Sequence, residues 1–241
     1  MKYIAILSSI QIESDSIISR LKNVSRSYIA GKTLYKGKLE SVGVLVLNTG
    51  IGKVNAAHSA TAVMEKFNIR YLINMGVGGA YPFSGLATGD IAIAIKEIYG
   101  DAGVITPGGW KGIKETGIPL LQSEGKKYFN EFPLDKDLAK KSLTITRNAS
   151  RITQVKTGNF VTVSASTGTP GRANELEKRF NAICENMEGA AIAHVAAIYR
   201  IPFLEIRGIS NIVGMRDKRR WRLSLATKNC QKAVMEIISR I

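Results

Sequence analysis

The chain has 241 residues, of which 45% are hydrophobic and 22% charged, and its net charge is +15. That composition supports a sizeable core within one domain and excludes a disordered chain, and no run approaches the ~18 apolar residues of a membrane span. The positive charge admits a nucleic-acid partner, an anionic small substrate or a solvated surface; without zinc-finger spacing, an RNP-type aromatic strand or a basic recognition helix, nucleic acid ranks last.

Tyr3–Leu7 reads as a first strand. A single lysine precedes it, the apolar run is too short for a signal-peptide core, and no small-residue cleavage site follows, so a cytoplasmic protein is expected. Ile12–Leu21 has helical spacing. Thr33–Glu40 and Val42–Leu47 read as paired strands joined at Ser41. "GIGKVNAAHSATAVMEKF" is a glycine-led turn feeding a helix with small and apolar residues along one face. Arg70–Met75 is a strand ending in "GVGGAYP", and Asp90–Ile98 is another. Residues 100–135 carry Pro107, Gly108, Gly109, Gly112, Pro119 and Pro133, which predict long loops. Leu143–Thr146 and Phe160–Ser164 read as short strands, and "GTPGRANELEKRF" as a turn and a helix. Ala182–Glu185 is a strand, Gly189–Tyr199 a helix, Phe203–Ile209 a strand and Trp221–Ile241 a long amphipathic helix. No linker or repeat interrupts the pattern. The expectation is a single α/β domain over residues 1–241, with a mixed, twisted central sheet flanked by helices.

In such folds ligands collect beyond the C-terminal ends of strands. Four of those ends carry unusual residues. Glu13 follows the first strand. "MGVGG" ends the strand from Arg70; its glycines suit either a turn or a close backbone approach to a ligand, and they lack the spacing of a dinucleotide fingerprint. Asn186-Met187-Glu188-Gly189 follows the strand at Ala182. The strand at Phe203 passes through Glu205 and Arg207 and ends in Ser210-Asn211. A buried guanidinium cannot deprotonate and needs a partner; Glu188, at the start of a Gly/Ala-rich helix, is the expected one, either as a structural ion pair or as part of a site. Cys184, Cys230, His58 and His194 form no metal-ligand pattern.

"ENMEGAAIAHVAAIYRIPFLEIRGISNIVG" resembles the signature of the nucleoside phosphorylase/nucleosidase superfamily in its nucleosidase branch. "NTGIGKVNAA" and "NMGVGGAY…ATGDIAIA" match earlier motifs of that family in order, so the resemblance covers essentially the whole chain. Within the branch, an Asn at 211 with Arg216-Asp217…Trp221 beyond it is similar to futalosine hydrolases, whereas methylthioadenosine/S-adenosylhomocysteine nucleosidases carry an Asp at that position.

The resemblance implies a nucleoside phosphorylase-like fold, no metal or cofactor, a small-molecule nucleoside substrate and a homodimer or larger homo-oligomer, with no membrane partner. It implies that Glu13 orients and deprotonates a water and that Glu188 holds the ribose hydroxyls and the developing sugar cation. Met187 would pack on the ribose, and Arg207 would position Glu188. Val77 and Gly78 would bring backbone close to ribose or base. Phe160 would stack on the base while the Val161 backbone reads its edge, and Ser210 and Asn211 would face the purine. Phosphorylases of this superfamily hold phosphate with arginines after the first strand and after the glycine motif. Here Ser8-Ser9-Ile10-Gln11-Ile12-Glu13 follows the first strand and no arginine follows "GVGGAYPFSG", which favours hydrolysis. A 6-oxopurine presents two acceptors, O6 and N7, which suit the amide donor of Asn211 better than a carboxylate. The expected reaction is therefore hydrolysis of a 6-oxopurine nucleoside, specifically futalosine in menaquinone biosynthesis. Methylthioadenosine/S-adenosylhomocysteine-type or inosine hydrolysis is the alternative. A basic nucleic-acid-binding protein on a retired enzyme scaffold is the alternative from another class. Arg216–Arg222 is assigned mainly to surface, with one arginine as a possible contact for a benzoate.

Overall fold

The computed structural model describes residues 2–149 and 154–241. In chain order the first half runs β1 (Tyr3–Ser8), α1 (Asp15–Ile18), β2 (Lys22–Ile29), β3 (Lys32–Leu39), β4 (Val42–Asn48), α2 (Lys53–Lys66), β5 (Ile69–Ala80) and β6 (Ile91–Tyr99). Five short strands follow, β7 (Gly103–Thr106), β8 (Gly109–Gly112), β9 (Leu121–Ser123), β10 (Lys126–Tyr128) and β11 (Glu131–Pro133). The rest runs α3 (Lys136–Ala149), β12 (Val155–Thr162), α4 (Pro170–Phe180), β13 (Ala182–Asn186), α5 (Gly189–Tyr199), β14 (Phe203–Ile212) and α6 (Leu223–Ile238).

Ten strands form one mixed sheet in the order β11-β6-β12-β13-β5-β1-β4-β3-β2, and β14 pairs with both β5 and β6. The ladder therefore closes on itself through β5, β13, β12, β6 and β14. The 12-residue β5 makes this possible. Its first half lies parallel to β1, and its glycine-rich end turns to meet β13 through Gly79 and Ala80. Helices cover both faces, so the inner strands are apolar on both sides. One core layer joins Ala56, Ala60 and Val63 of α2 to Ile192 and Val195 of α5. The opposite layer joins Leu138 and Ile145 of α3 to Cys230, Val234 and Ile237 of α6. A third cluster packs Ala173 and Leu176 of α4 against Val161, Ile98 and Tyr81.

Three expectations need correction, and one strand was not expected. Leu143–Thr146 is not a strand but lies inside α3; Leu138, Ala139, Ser142, Ile145 and Thr146 are its buried positions, a helical spacing. Ile12–Leu21 is not one helix. It splits into a 3-10 turn at Gln11–Glu13 and the four-residue α1, because the Glu13 side chain folds back onto the N–H groups of Ser9 and Ile10. Lys22–Ile29, unassigned from the sequence, is an edge strand whose first seven residues are exposed, so no hydrophobic alternation marks it. Residues 100–135 are ordered as two hairpins and a short strand rather than long loops. Asn130 ties them down by donating to the carbonyls of Tyr99 and Ala102 and accepting from the Ile113 N–H.

Candidate active site

The ends of β1, β5, β13 and β14 surround one cleft of about 250 Å³. Eight of the ten residues singled out from the sequence line it: Glu13, Val77, Gly78, Met187, Glu188, Arg207, Ser210 and Asn211. The other two do not. Phe160 and Val161 are fully buried within β12, Phe160 in the layer under α5 and Val161 in the cluster under α4. Val161 pairs with Glu185 on one side and Ile98 on the other. An interior strand between two helix layers has no free face for a ligand, so neither stacking by Phe160 nor edge reading by Val161 is available here. The cleft wall comes instead from Ser166 and Thr167, beyond the strand's C-terminal end.

Glu13 is 3% exposed. Its Oε2 accepts from the N–H groups of Ser9 (2.8 Å) and Ile10 (3.1 Å), and its Oε1 from Val77 N–H (2.8 Å). Burial raises its pKa above the ordinary carboxylate value; the Arg207 charge and the Val77 and Ile10 amides oppose that rise, and the Glu188 charge adds to it. Gly76 is required by close approach, because a Cβ there would stand 2.5 Å from Glu13 Oε1 and 2.9 Å from an Arg207 nitrogen.

Glu188 caps α5 at the edge of the cleft. Its Oε1 accepts from Gly52 N–H (2.9 Å) at the start of α2, and its Oε2 lies 3.5 Å from Arg207. The backbone of this turn is held by Asn186, whose Oδ1 accepts from the N–H groups of Glu188 (2.9 Å) and Gly189 (2.7 Å). Side chains of β13 and β12 thus satisfy the orphan amides of the helix start.

The principal partner of Arg207 is Glu205, at 2.7 and 2.8 Å, rather than Glu188. Residues i and i+2 of a strand share a face, so this pairing follows from the sequence spacing. Asn74 donates to both oxygens of Glu205, and Arg207 also donates to the Val77 carbonyl (3.2 Å). Burial opposes the Arg207 charge, but Glu205, Glu188 and Glu13 more than offset it and raise its pKa, keeping it a cation. A second buried carboxyl, Glu97, accepts from Thr162 and Asn186. Glu97 and Glu205 meet at Gly189, where a Cβ would stand 2.1 Å from one and 2.6 Å from the other. Burial, and then the Glu205 charge, push Glu97 well above the ordinary carboxylate range; burial raises Glu205 as well, against the opposing Arg207 charge.

At the other end of the cleft, Ser210 Oγ lies 2.8 Å from Asn211 Oδ1 and 3.2 Å from the Gly78 carbonyl. Donation to Oδ1 leaves the Asn211 NH₂ as the group available to a ligand; its protein contact is a long one to the Ile212 carbonyl, 3.3 Å. Glu185 lines the same region. It accepts from Thr167 N–H (2.9 Å), Thr167 Oγ1 (2.6 Å) and the Tyr81 hydroxyl (3.1 Å). Burial, reinforced by the Glu185 charge, raises the Tyr81 pKa and keeps that hydroxyl a donor. Met187 Sδ lies 3.4 Å from Ser166 Oγ. Arg216 stacks over Trp221 at 5.4 Å, and both line the cleft. Arg222 N–H donates to the Ser210 carbonyl (2.8 Å), tying this basic segment to the end of β14.

Chemically, the cleft combines a buried carboxylate able to hold a water, a second carboxylate braced by a guanidinium and an amide donor at the far end. Among the described residues no group of three or more His, Cys, Asp or Glu side chains is placed to hold a metal ion. Glu97, Glu185 and Thr167 were not singled out from the sequence. The signal for Glu97 was a lone carboxylate inside the apolar run Ile91–Tyr99.

The phosphorylase superfamily model matches residues 3–239. A futalosine hydrolase of Thermus thermophilus is 33% identical over 83% of this chain and 84% of its own. A 5′-methylthioadenosine/S-adenosylhomocysteine nucleosidase of Psychromonas ingrahamii is 32% identical over 99% of both chains. The nucleosidase of Neisseria meningitidis, solved with methylthio-immucillin-A, superposes with a TM-score of 0.85 over the full length of both chains at 24% identity, a likeness of fold.

Proposed function

The chain belongs to the phosphorylase superfamily and is a nucleosidase, an N-glycosyl hydrolase, and from that premise we propose that it cuts the N-ribosidic bond of a 6-oxopurine nucleoside, specifically futalosine, releasing hypoxanthine and dehypoxanthinyl futalosine for menaquinone biosynthesis. The observation that carries the substrate class is Asn211, an amide whose oxygen is engaged by Ser210 and whose NH₂ can donate to O6 and N7. The match to the Thermus futalosine hydrolase supports the specific nucleoside.

The bond breaks through a sugar with oxocarbenium character and a purine gathering negative charge. In this reading Glu13 holds and deprotonates the attacking water, and Glu188 binds the ribose hydroxyls and faces the developing cation. Met187 packs on the ribose, Val77 and Gly78 bring backbone alongside, and Arg207 positions Glu188. Asn211 cannot transfer a proton, so it stabilises the departing base by hydrogen bonds that strengthen as charge develops. Water rather than phosphate suits the site: Arg207 is already bonded to Glu205, and Glu13 would repel an anion. A cleft of about 250 Å³ is small beside the ~300–1,000 Å³ of drug-sized sites. It suits a nucleoside whose 5′ substituent extends outward, and Arg216 on Trp221 offers a cation and an aromatic face for a benzoate.

The same proposal includes cytoplasmic location and a homodimer or larger homo-oligomer, which would cover the exposed Ile51 and Val54 beside the cleft; light scattering tests the assembly. A 5′-methylthioadenosine/S-adenosylhomocysteine-type activity is the second reading, favoured by the full-length match to the Psychromonas enzyme. Incubation with futalosine, inosine and methylthioadenosine, with base release followed by chromatography, decides between them. Hypoxanthine from futalosine is expected. Adenine from methylthioadenosine with futalosine untouched would establish the second reading.

A further inference from the structure

We propose that Glu185 is a specificity-determining residue that accepts a hydrogen bond from N1–H of the purine. This inference rests on the 6-oxopurine reading above and adds to it a second base contact. A 6-oxopurine carries a hydrogen on N1, whereas N1 of a 6-aminopurine is an acceptor. O6 and N7 are matched by Asn211; N1–H needs an acceptor on the neighbouring edge of the ring.

Three observations place that acceptor at Glu185. First, Glu185 and Asn211 lie in register with the same residue, Gly79, from the strands on either side of it. Neighbouring strands are about 4.8 Å apart, so the two backbones stand roughly 10 Å apart across Gly79, wide enough to admit the edge of a base between their side chains. Second, Gly79 leaves bare backbone between them. A Cβ there would stand 2.7 Å from Val213 and 3.3 Å from the Asn211 amide nitrogen. Third, Glu185 lines the cleft although it is 8% exposed. An ionised carboxylate can accept about four hydrogen bonds, and the protein supplies three, from Thr167 N–H, Thr167 Oγ1 and Tyr81. These donors fix the carboxylate and leave one acceptor site unfilled. A carboxylate there meets N1–H of hypoxanthine as a partner and N1 of adenine as a like acceptor. The same residue also ties the Thr167 loop to the sheet, a role that would not discriminate between bases.

The test is kcat/KM for inosine against adenosine, and for futalosine against its 6-amino counterpart, in the wild type and in Glu185→Gln. Gln keeps the size and offers an NH₂ that suits N1 of adenine. The wild type should prefer the 6-oxo member of each pair, and Glu185→Gln should reduce that ratio about 10-fold or more. Product inhibition of the wild type needs no variant: hypoxanthine should bind at least about 10-fold more tightly than 1-methylhypoxanthine, which lacks N1–H. An unchanged ratio in a folded Glu185→Gln protein, or equal inhibition by the two bases, overturns the role of Glu185 and leaves the 6-oxopurine reading standing on Asn211. A wild type without 6-oxo preference overturns both.

Discussion

At Glu13, a single carboxylate gathers three backbone amides and lies against Arg207 with almost no exposure. Glu13→Gln keeps the size, removes the base and turns an NH₂ toward at least one backbone N–H that a carboxylate oxygen accepts from. It should stay folded with a melting temperature lowered by a few degrees, since a mispaired buried polar group costs ~1–3 kcal/mol, while turnover falls by ~10²–10⁴-fold, the usual contribution of a general base; near-wild-type turnover would place the water elsewhere. Because burial raises the Glu13 pKa, the base form is lost as pH falls through a value above the ordinary 4.5. The acid limb of the kcat/KM profile should therefore lie above that value, and Glu13→Gln should abolish the limb along with the activity. Asn211→Asp should lower turnover of futalosine and inosine and move the preference toward adenine nucleosides by on the order of 10-fold, since a mispaired buried polar group costs ~1–3 kcal/mol. Initial rates on the paired substrates check this, and an unchanged ratio would remove Asn211 from base reading. Glu13 and Asn211 were legible because each is a polar residue at or beyond the end of an apolar run, and Arg207 because a guanidinium inside an apolar strand needs a partner. Glu205 was visible but unpaired in the sequence reading, although its i, i+2 spacing to Arg207 already put both on one face. Phe160 was misplaced for the converse reason: it lies inside the apolar run of its strand, and ligands collect beyond the strand end, where Ser166 and Thr167 stand.

Closure of the sheet brings β6, β12 and β14 against α5, and Glu97 of β6 and Glu205 of β14 are buried side by side at Gly189. Glu97 binds a proton in the folded chain that it would release on unfolding above the ordinary carboxylate value of 4.5. The unfolded chain then holds fewer protons, so this group makes stability fall as pH rises from that value through its raised folded pKa. Glu97→Gln imitates the protonated form and should flatten the decline of melting temperature as pH rises above the ordinary carboxylate value; an identical decline in the variant would mean that Glu97 is ionised in the fold. Gly189→Ala tests the same junction sterically. Its Cβ would press on both Glu97 and Glu205, and overpacking of ~1–3 kcal/mol corresponds to a loss of several degrees in melting temperature for a chain of this size. The elements with strong apolar runs, β1, β4, β5, β13 and β14, were readable from the sequence to within a few residues at their starts. The exposed edge strand β2 was not, because a strand with no buried face has no alternation to read. In α3, "LTIT" imitated a strand, and only the buried positions on either side of it reveal a helical period.

For the molecule as a whole, most of the +15 charge is distributed over the surface. In the densest stretch, Asp217 already pairs with Arg219 and Arg220, which stand in solvent, while Arg216 alone of these arginines lines the cleft beside Trp221. Arg216→Ala should therefore weaken futalosine turnover more than inosine turnover, the difference appearing mainly in KM and shrinking at high salt; equal effects on the two substrates would assign Arg216 to the surface. EDTA should leave the rate unchanged, and a loss restored by added metal would contradict a metal-free site. Fold and family were written along the full length of the chain, whereas the pairing of Glu185 with Asn211 across Gly79 depends on strand register, which no local pattern encodes. The central claim is that water, guided by Glu13, displaces a 6-oxopurine from ribose. The direct measurement is mass spectrometry of the products formed from futalosine in ¹⁸O-labelled water containing phosphate. Free hypoxanthine, together with dehypoxanthinyl futalosine carrying one ¹⁸O at its anomeric hydroxyl, is the predicted result; a sugar 1-phosphate, or futalosine recovered intact, would contradict it.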